Sequence, residues 1–346
     1  MLTEEQIRGS LDEVIVPGAM RSLVKLRLVR EIAISDHRVN IRIASTALNG
    51  GVQDWIKSKV HDVTKVLPGV GDVEVDFVDA KPIELNEIHH VIAVMSGKGG
   101  VGKSLVSGLL GLSLARQGKE VGILDADITG PSIPRMFGIN ARPAGSETGI
   151  LPVPSHMGIE IMSINLLLPH EDDAVIWRGP LIAGAIKQFW EEVLWGSLDY
   201  LIVDLPPGTA DVPLTVMQSL PLSGVVIVFS PQELTTMVVR KAVQMTQMMN
   251  IPILGLVENM SYLLLPEDGK RMEVFGSSKA REMEKASGAP LLVQIPIDPK
   301  LASLCDQGDI ERYESELVST FGEAFVQAVS TRGMSKDRAQ EIETRK

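Results

Sequence analysis

VIAVMSGKGGVGKS, residues 91–104, sets an apolar run directly against a glycine-rich turn. The tail of the stretch fits G-x-x-x-x-G-K-[ST], with Gly97, Gly102, Lys103 and Ser104 at the fixed positions. The pattern has a mechanical meaning when a strand precedes it and a helix follows. Backbone N–H groups of Gly97, Lys98, Gly99, Gly100, Val101 and Gly102 can then wrap phosphate oxygens. The positive end of the helix points at the same anion. Lys103 is placed to reach the β- and γ-phosphates of ATP, and Ser104 to ligate Mg²⁺. A second lysine, Lys98, is not required by this pattern.

Downstream, short apolar runs alternate with helical stretches: VGILD, YLIVDLP, GVVIVFS, ILGLVENM and LLVQIPI. Runs that are apolar throughout suit strands buried on both faces. Strands interleaved with helices build a parallel sheet from βαβ units. The expected fold is therefore α/β, a mostly parallel sheet flanked by helices. Two runs end in aspartates: VGILDADITGPSIPR places Asp125 and Asp127, and YLIVDLPPGTAD places Asp204. Ligands collect at the carboxyl edge of such a sheet. Three carboxylates beside a phosphate loop suit a Mg²⁺ site plus a group that orients water, with Asp125 and Asp204 joining Ser104 as metal candidates.

Residues 1–80 read as a separate small α/β domain. SLVKLRLVREIAIS and RVNIRIAS alternate and flank Asp36-His37, which predicts a hairpin. VQDWIKSKVHDVTKVL has helical spacing at Val52, Ile56, Val60, Val63 and Leu67, and VEVDFVD alternates like a strand. Residues 81–90, KPIELNEIHH, carry little pattern and read as a linker. The phosphate-binding domain is expected over 91–330 and a polar tail over 331–346. Met237, Met245, Met248 and Met249 fall on one predicted helix and are expected in the core.

The chain carries 33 basic and 44 acidic residues, a net charge of −11. That field argues against sequence-independent nucleic-acid binding. MLTEEQIRGSLDEV lacks the apolar centre of a signal peptide. No run approaches the roughly 20 residues that span a bilayer. A cytoplasmic protein is expected. The single cysteine, Cys305, excludes an intrachain disulfide and any Cys₂ or Cys₄ metal site within the chain.

GKGGVGKS resembles the deviant Walker A motif of the MinD/ParA/nitrogenase-iron-protein class of P-loop ATPases. In that class the extra lysine, here Lys98, crosses a dimer interface to the partner's bound phosphates. The resemblance therefore implies a homodimer in which Lys98 acts beside Lys103 in catalysis. DADITGPSIPRMFG, WRGP, DLPPGTAD, SPQE and ENMSY are similar to successive blocks of the Mrp/ApbC family of iron–sulfur cluster carriers. RSLVKLRLVREI and LPGVGDVEV resemble the small domain fused to its bacterial members. The resemblance implies Mg²⁺-dependent ATP binding and slow hydrolysis, linked to cluster assembly or delivery with client proteins as partners. It gives Asp127 the attacking water, Asp204 the Mg²⁺ shell and Asn259 the adenine, with Pro296 to Asp298 lining the base pocket.

The sequence departs from that family in one chemically decisive place. Members carry Cys-x-x-Cys shortly after ENMSY, and two subunits together hold a bridging [4Fe–4S] cluster. Here the segment reads LLLPEDGKRMEVFG, with Leu265 to Asp268 at roughly that position. STALNGGV likewise lacks the cysteine of the family's T-x-x-G-C-P stretch. Cluster iron takes thiolates, whereas carboxylates suit harder cations. The nucleotide machinery is expected to be intact and the cluster site lost, so delivery would draw on a partner's thiols. The alternative is a MinD/ParA-like switch or scaffold with no iron–sulfur role. Its membrane-bound form needs a basic amphipathic C-terminal helix, and SKDRAQEIETRK has Ile342 nearly alone on its apolar side.

Overall fold

The computed structural model describes residues 2–127, 130, 132–167, 179–209, 211–232, 235–265 and 269–332. Readings that fall on Trp177-Arg178, on Pro266 to Asp268 and on the tail from 333 lie outside the described residues. The chain forms two compact units: Met1–Ile88 with Ala141–Pro154 and Gln188–Leu198, and His89–Asn140 with Ser155–Lys187 and Asp199–Lys346.

The first unit opens with α1 (Glu4–Leu11), held by a capping box between Thr3 and Gln6. Strands β1 (Val29–Ser35) and β2 (Arg38–Ala44) pair antiparallel, with Ile34 opposite Val39. Asp36 and His37 adopt φ of 44° and 68°, the twist a two-residue hairpin turn needs. Helix α2 (Gly50–Lys65) crosses over to β3 (Asp72–Val78), which pairs parallel to β2. Ile41, Ile43, Val75, Ile56 and Val60 bury the face between sheet and helix, and Val52, Val63 and Leu67 pack at its rim. Burying one such aliphatic side chain contributes about 1.5–3 kcal/mol.

The later segments of this unit are tied in by polar contacts that no local pattern announces. The Arg21 guanidinium donates to the carbonyls of Trp195 (2.7 Å) and Ser197 (2.5 Å). The Asn86 side chain donates to Val193 O (2.9 Å) and accepts from Gly196 N (3.0 Å). Leu151 and Leu194 join its core. A linear boundary near residue 80 therefore does not describe this unit.

The second unit is built on a sheet of β4 (Glu87–Ser96), β5 (Val121–Asp125), β6 (Glu160–Ser163), β7 (Ser197–Asp204), β8 (Gly224–Phe229), β9 (Ile253–Glu258) and a last strand over Leu291–Gln294. Its order is last strand, β9, β8, β4, β7, β5, β6. The registers of β4 with β8, β8 with β9, β7 with β5 and β5 with β6 are all parallel. A parallel sheet with helical crossovers is what the uninterrupted apolar runs require. Between β9 and the last strand lies a two-stranded ribbon, β10 (Leu263–Leu264) with β11 (Arg271–Met272), so the last strand is β12. Helices on this unit include α4 (Lys103–Arg116), α5 (Thr235–Met248), α6 (Ala280–Ser287), α7 (Pro299–Gln307) and α8 (Glu316–Arg332); Pro82–Leu85 of the first unit forms the short α3.

Three expectations change. Residues 81–90 are not a patternless linker: α3 occupies 82–85 and β4 already begins at Glu87. The first four residues of β4 are partly buried or, at His89, exposed, so no apolar run marks them. β6, reading EIMS, is fully buried and was not expected as a strand. On α5, Met245 is buried, but Met237 and Met248 are 57% and 85% exposed. The inward stripe of α5 runs through Val239, Ala242, Val243 and Thr246 at helical spacing, and those two methionines fall off it.

Candidate functional site

Register brings the chemistry to one edge. Asp204 pairs with Asp125, Val228 with Ser96 and Phe229 with Glu258, each at a carboxyl end. From Ser96 the chain enters the glycine loop, where Ser96 Oγ donates to the Lys98 carbonyl (2.9 Å). Gly100 and Gly102 take φ of 80° and 78°, a region that favours glycine. Gly102 caps α4 without a side-chain bond. The first-turn N–H groups thus face the loop, free to receive an anion.

Lys103 opens α4 and is 5% exposed. Its Nζ lies 2.8 Å from Asp204 Oδ2 and 3.5 Å from Asp127 Oδ2. Ser104 Oγ donates to Asp204 Oδ2 (2.5 Å), and Ser107 Oγ donates to Asp204 Oδ1 (2.6 Å). Asp125 is fully buried beside them and accepts from Asp127 N (3.2 Å), Ile133 N (3.3 Å) and Ser163 Oγ (3.4 Å). Burial, then the Asp204 charge, pushes the Asp125 carboxyl up to about 8, with Lys103 opposing and Asp127 adding to the rise. The structure thus brings together five sequence-expected residues: Lys103, Ser104, Asp125, Asp127 and Asp204. Ser107 was missed, although it stands four residues after Lys103 and so on the same helix face.

A family profile described as NUBPL iron-transfer P-loop NTPase matches residues 87–330. The chain belongs to that family. A second profile, described as iron–sulfur cluster assembly protein, matches residues 4–77. Among relatives, the iron–sulfur cluster carrier protein of Synechocystis sp. is 37% identical, covering 89% of this chain and 91% of its own. That of Clostridium perfringens is 46% identical, covering 66% and 83%. A solved nucleotide-binding protein in complex with ADP from Archaeoglobus fulgidus shares 48% identity with a TM-score of 0.63, covering 69% of this chain and 96% of that one. The cell division ATPase MinD of Pyrococcus furiosus, at 20% identity and TM-score 0.52 over 70% of this chain and 99% of that one, shares the fold.

Within this P-loop NTPase the remaining expected residues take separate places. Lys98 Nζ donates to Gln232 Oε1, in the SPQE block, rather than joining the Lys103 cluster. Asn259 is buried; its side-chain amide donates to Val101 O (2.9 Å) and its backbone N to Phe229 O (2.8 Å). The adenine role expected of Asn259 is thus joined by a visible one, bracing the phosphate loop. A Cβ on Gly102 would run into that amide, a second reason for glycine there. Pro296 is half-buried and follows β12. Asp298 caps α7 through Lys300 N (2.8 Å) and accepts from Tyr313 Oη (2.8 Å). Burial, followed by that bond to Asp298, pushes the Tyr313 phenol up to about 12.

The donor set decides which metals the site suits. Ser104 and Asp204 present hard oxygens at the phosphate loop, which fit Mg²⁺ with water and phosphate completing its shell. Among the described residues, no group of three His, Cys, Asp or Glu is placed to hold a metal ion. A [4Fe–4S] cluster does not fit the chain's own side chains. In place of thiolates, the ribbon pairs Leu263 with Met272 and Leu264 with Arg271, whose guanidinium lies 4.2 Å from the Tyr262 ring centre. Cys305 is half-buried on α7, and burial, with Asp306 beside it, pushes its thiol up to about 11.

Proposed function

We propose that the chain is a Mg²⁺-dependent ATPase that works as a homodimer in iron–sulfur cluster assembly or delivery, the thiolates coming from its partners. The observation that carries this reading is Lys103, buried between Asp204 and Asp127 at the foot of a glycine loop. A lysine ammonium held on carboxylates can exchange them for phosphate oxygens when nucleotide arrives. Support comes from the carrier-protein names of the relatives and from the ADP in the Archaeoglobus structure.

In this reading the loop N–H groups and Lys103 bind the β- and γ-phosphates. Ser104 and Asp204 would hold Mg²⁺, which would supply positive charge to the bound phosphates. Asp125, whose oxygens already meet protein donors, steadies the Asp127 backbone from behind. Asp127, 3.5 Å from Lys103 Nζ, orients the attacking water. Lys98 rests on Gln232 in the single chain and reaches the neighbouring protomer's phosphates in the dimer. Hydrolysis is slow because that cation arrives only with the partner. Asn259 and Pro296 flank the base. Among the described residues no helix is long and apolar enough to cross a membrane, and we place the protein in the cytoplasm.

The test is steady-state hydrolysis of ATP by purified protein with Mg²⁺. Activity should vanish in Asp127→Asn while ADP still binds. Equal turnover in that variant overturns the assignment.

A further inference from the structure

Glu258 ends β9 and is fully buried. A carboxylate taken out of water is costly unless donors meet it. Here four do so. Oε2 accepts from Ser261 Oγ (2.7 Å), Ser278 Oγ (2.7 Å) and Gln294 Nε2 (2.6 Å), and Oε1 from the backbone N of Lys279 (2.7 Å). Gln294 also bonds Ser278 Oγ (2.9 Å) and Ser261 Oγ (3.2 Å), so the donors form one network. They come from three parts of the chain: the turn leaving β9, the segment returning from the β10–β11 ribbon into α6, and β12.

The next residue faces elsewhere. Asn259 holds the Val101 carbonyl of the phosphate loop and, through its backbone, the end of β8. One dipeptide therefore grips the phosphate loop with its second residue and the ribbon's return with its first. The peptide plane between them is stiff. A shift of the Val101 carbonyl on phosphate binding moves Asn259, and Glu258 must follow. Four short bonds to a buried carboxylate pass that movement to Ser278 and Lys279 instead of absorbing it.

We propose that Glu258 is a positioning residue that couples nucleotide in the phosphate loop to the ribbon's return, residues 271–280. The proposal rests on the nucleotide-binding reading. It differs from that reading in what it asserts: a structural response in a segment that contributes nothing to the loop.

The experiment is amide hydrogen exchange of the full chain with and without ADP and Mg²⁺, with ADP binding measured separately by calorimetry. In the native protein ADP should slow exchange at 271–280 several-fold. Glu258→Gln turns an amide NH₂ toward at least one of the four donors. It should keep measurable ADP binding and lose the ADP-dependent slowing. A merely structural role would raise exchange equally with and without ADP and leave their ratio unchanged, which overturns the proposal. ADP binding to the native chain with no slowing at 271–280 overturns it as well. A native chain that binds no ADP in calorimetry ends the nucleotide reading, and the proposal with it. Ser278→Ala removes one donor to Glu258, together with the acceptor of Ala280 N and Gln294 Nε2, at an exposed position and is measured alongside. It should weaken the slowing if Glu258→Gln fails to fold, and an undiminished ratio there counts against the coupling.

Discussion

The Lys103 ammonium and the Asp204 carboxylate meet at 2.8 Å with side chains 5% and 0% exposed. Removing one member of a buried pair leaves the other uncompensated, at a cost of about 3–5 kcal/mol. Lys103→Ala should therefore abolish ATP hydrolysis and also lower the melting temperature. Lys103→Met combined with Asp204→Asn should recover much of the stability and none of the activity. Melting curves and turnover on the same samples separate the two effects. Full stability in the single variant would show that the pair does not act as a buried ion pair.

Ser107 donates to Asp204 Oδ1 at 2.6 Å from within α4. Ser107→Ala removes the hydroxyl shared between Asp204 Oδ1 and the Lys103 carbonyl, a loss of about 1.5–3 kcal/mol for a bond to a charged group. Asp204 should then be less well oriented, and turnover at saturating ATP should fall several-fold with a drop in melting temperature. Unchanged turnover would reduce Ser107 to a packing residue.

Lys98 is held by Gln232 within its own chain. If it completes the neighbour's site, Lys98→Ala and Lys103→Ala chains are each inactive alone. Mixing them gives dimers with one intact site: Lys103 from one chain, Lys98 from the other. Partial activity should return on mixing. A mixture as inactive as its components rules out the shared site.

Cys305 carries a thiol pushed up to about 11 from 9.0, chiefly by burial. Below pH 9 its thiolate fraction should be about a hundredfold lower than that of an ordinary exposed thiol, and alkylation correspondingly slower. Unfolding in denaturant should restore the ordinary rate. The sign for stability follows. A folded-state value above the unfolded one contributes stability below about pH 9, and this is lost as pH rises through about 11. Fast labelling of the native protein at neutral pH would contradict the burial.

Asp298 caps α7 and accepts from Tyr313. Asp298→Ala should cost about 1–2 kcal/mol for the lost cap and lower the Tyr313 titration seen by ultraviolet absorbance. ADP affinity should stay the same if Asp298 serves only the helix. A large drop in affinity would instead put it in the base pocket.

The phosphate loop was legible because every part of it is local. Gly97 to Ser104 are contiguous, and the residues before and after them carry the strand and helix patterns. The strands of the parallel sheet were legible for a related reason: burial on both faces leaves uninterrupted apolar runs such as VGILD and GVVIVF. β4 shows the limit, since Glu87, Ile88 and His90 are only partly buried, His89 is exposed, and the four look like linker. So does β6, whose EIMS begins with a buried glutamate.

Residue order alone carries the α/β class, the loop that grips phosphate, the strand-end aspartates and the absence of paired cysteines. The loop and the aspartates are written within a few consecutive residues, where backbone geometry and side-chain chemistry act directly; the class follows from apolar runs alternating with helical stretches, and the missing cysteine pairs from the count over the whole chain. Folding in three dimensions settled that Ser107 serves Asp204, that Asn259 braces Val101 and that Glu258 collects donors from Ser261, Ser278, Lys279 and Gln294. It also decided that Ala141–Pro154 and Gln188–Leu198 belong with the first unit. Those relations join residues up to 176 positions apart. Hydrogen bonds and buried charge act through space over a few ångströms, and chain order does not record which distant groups folding will place within that reach.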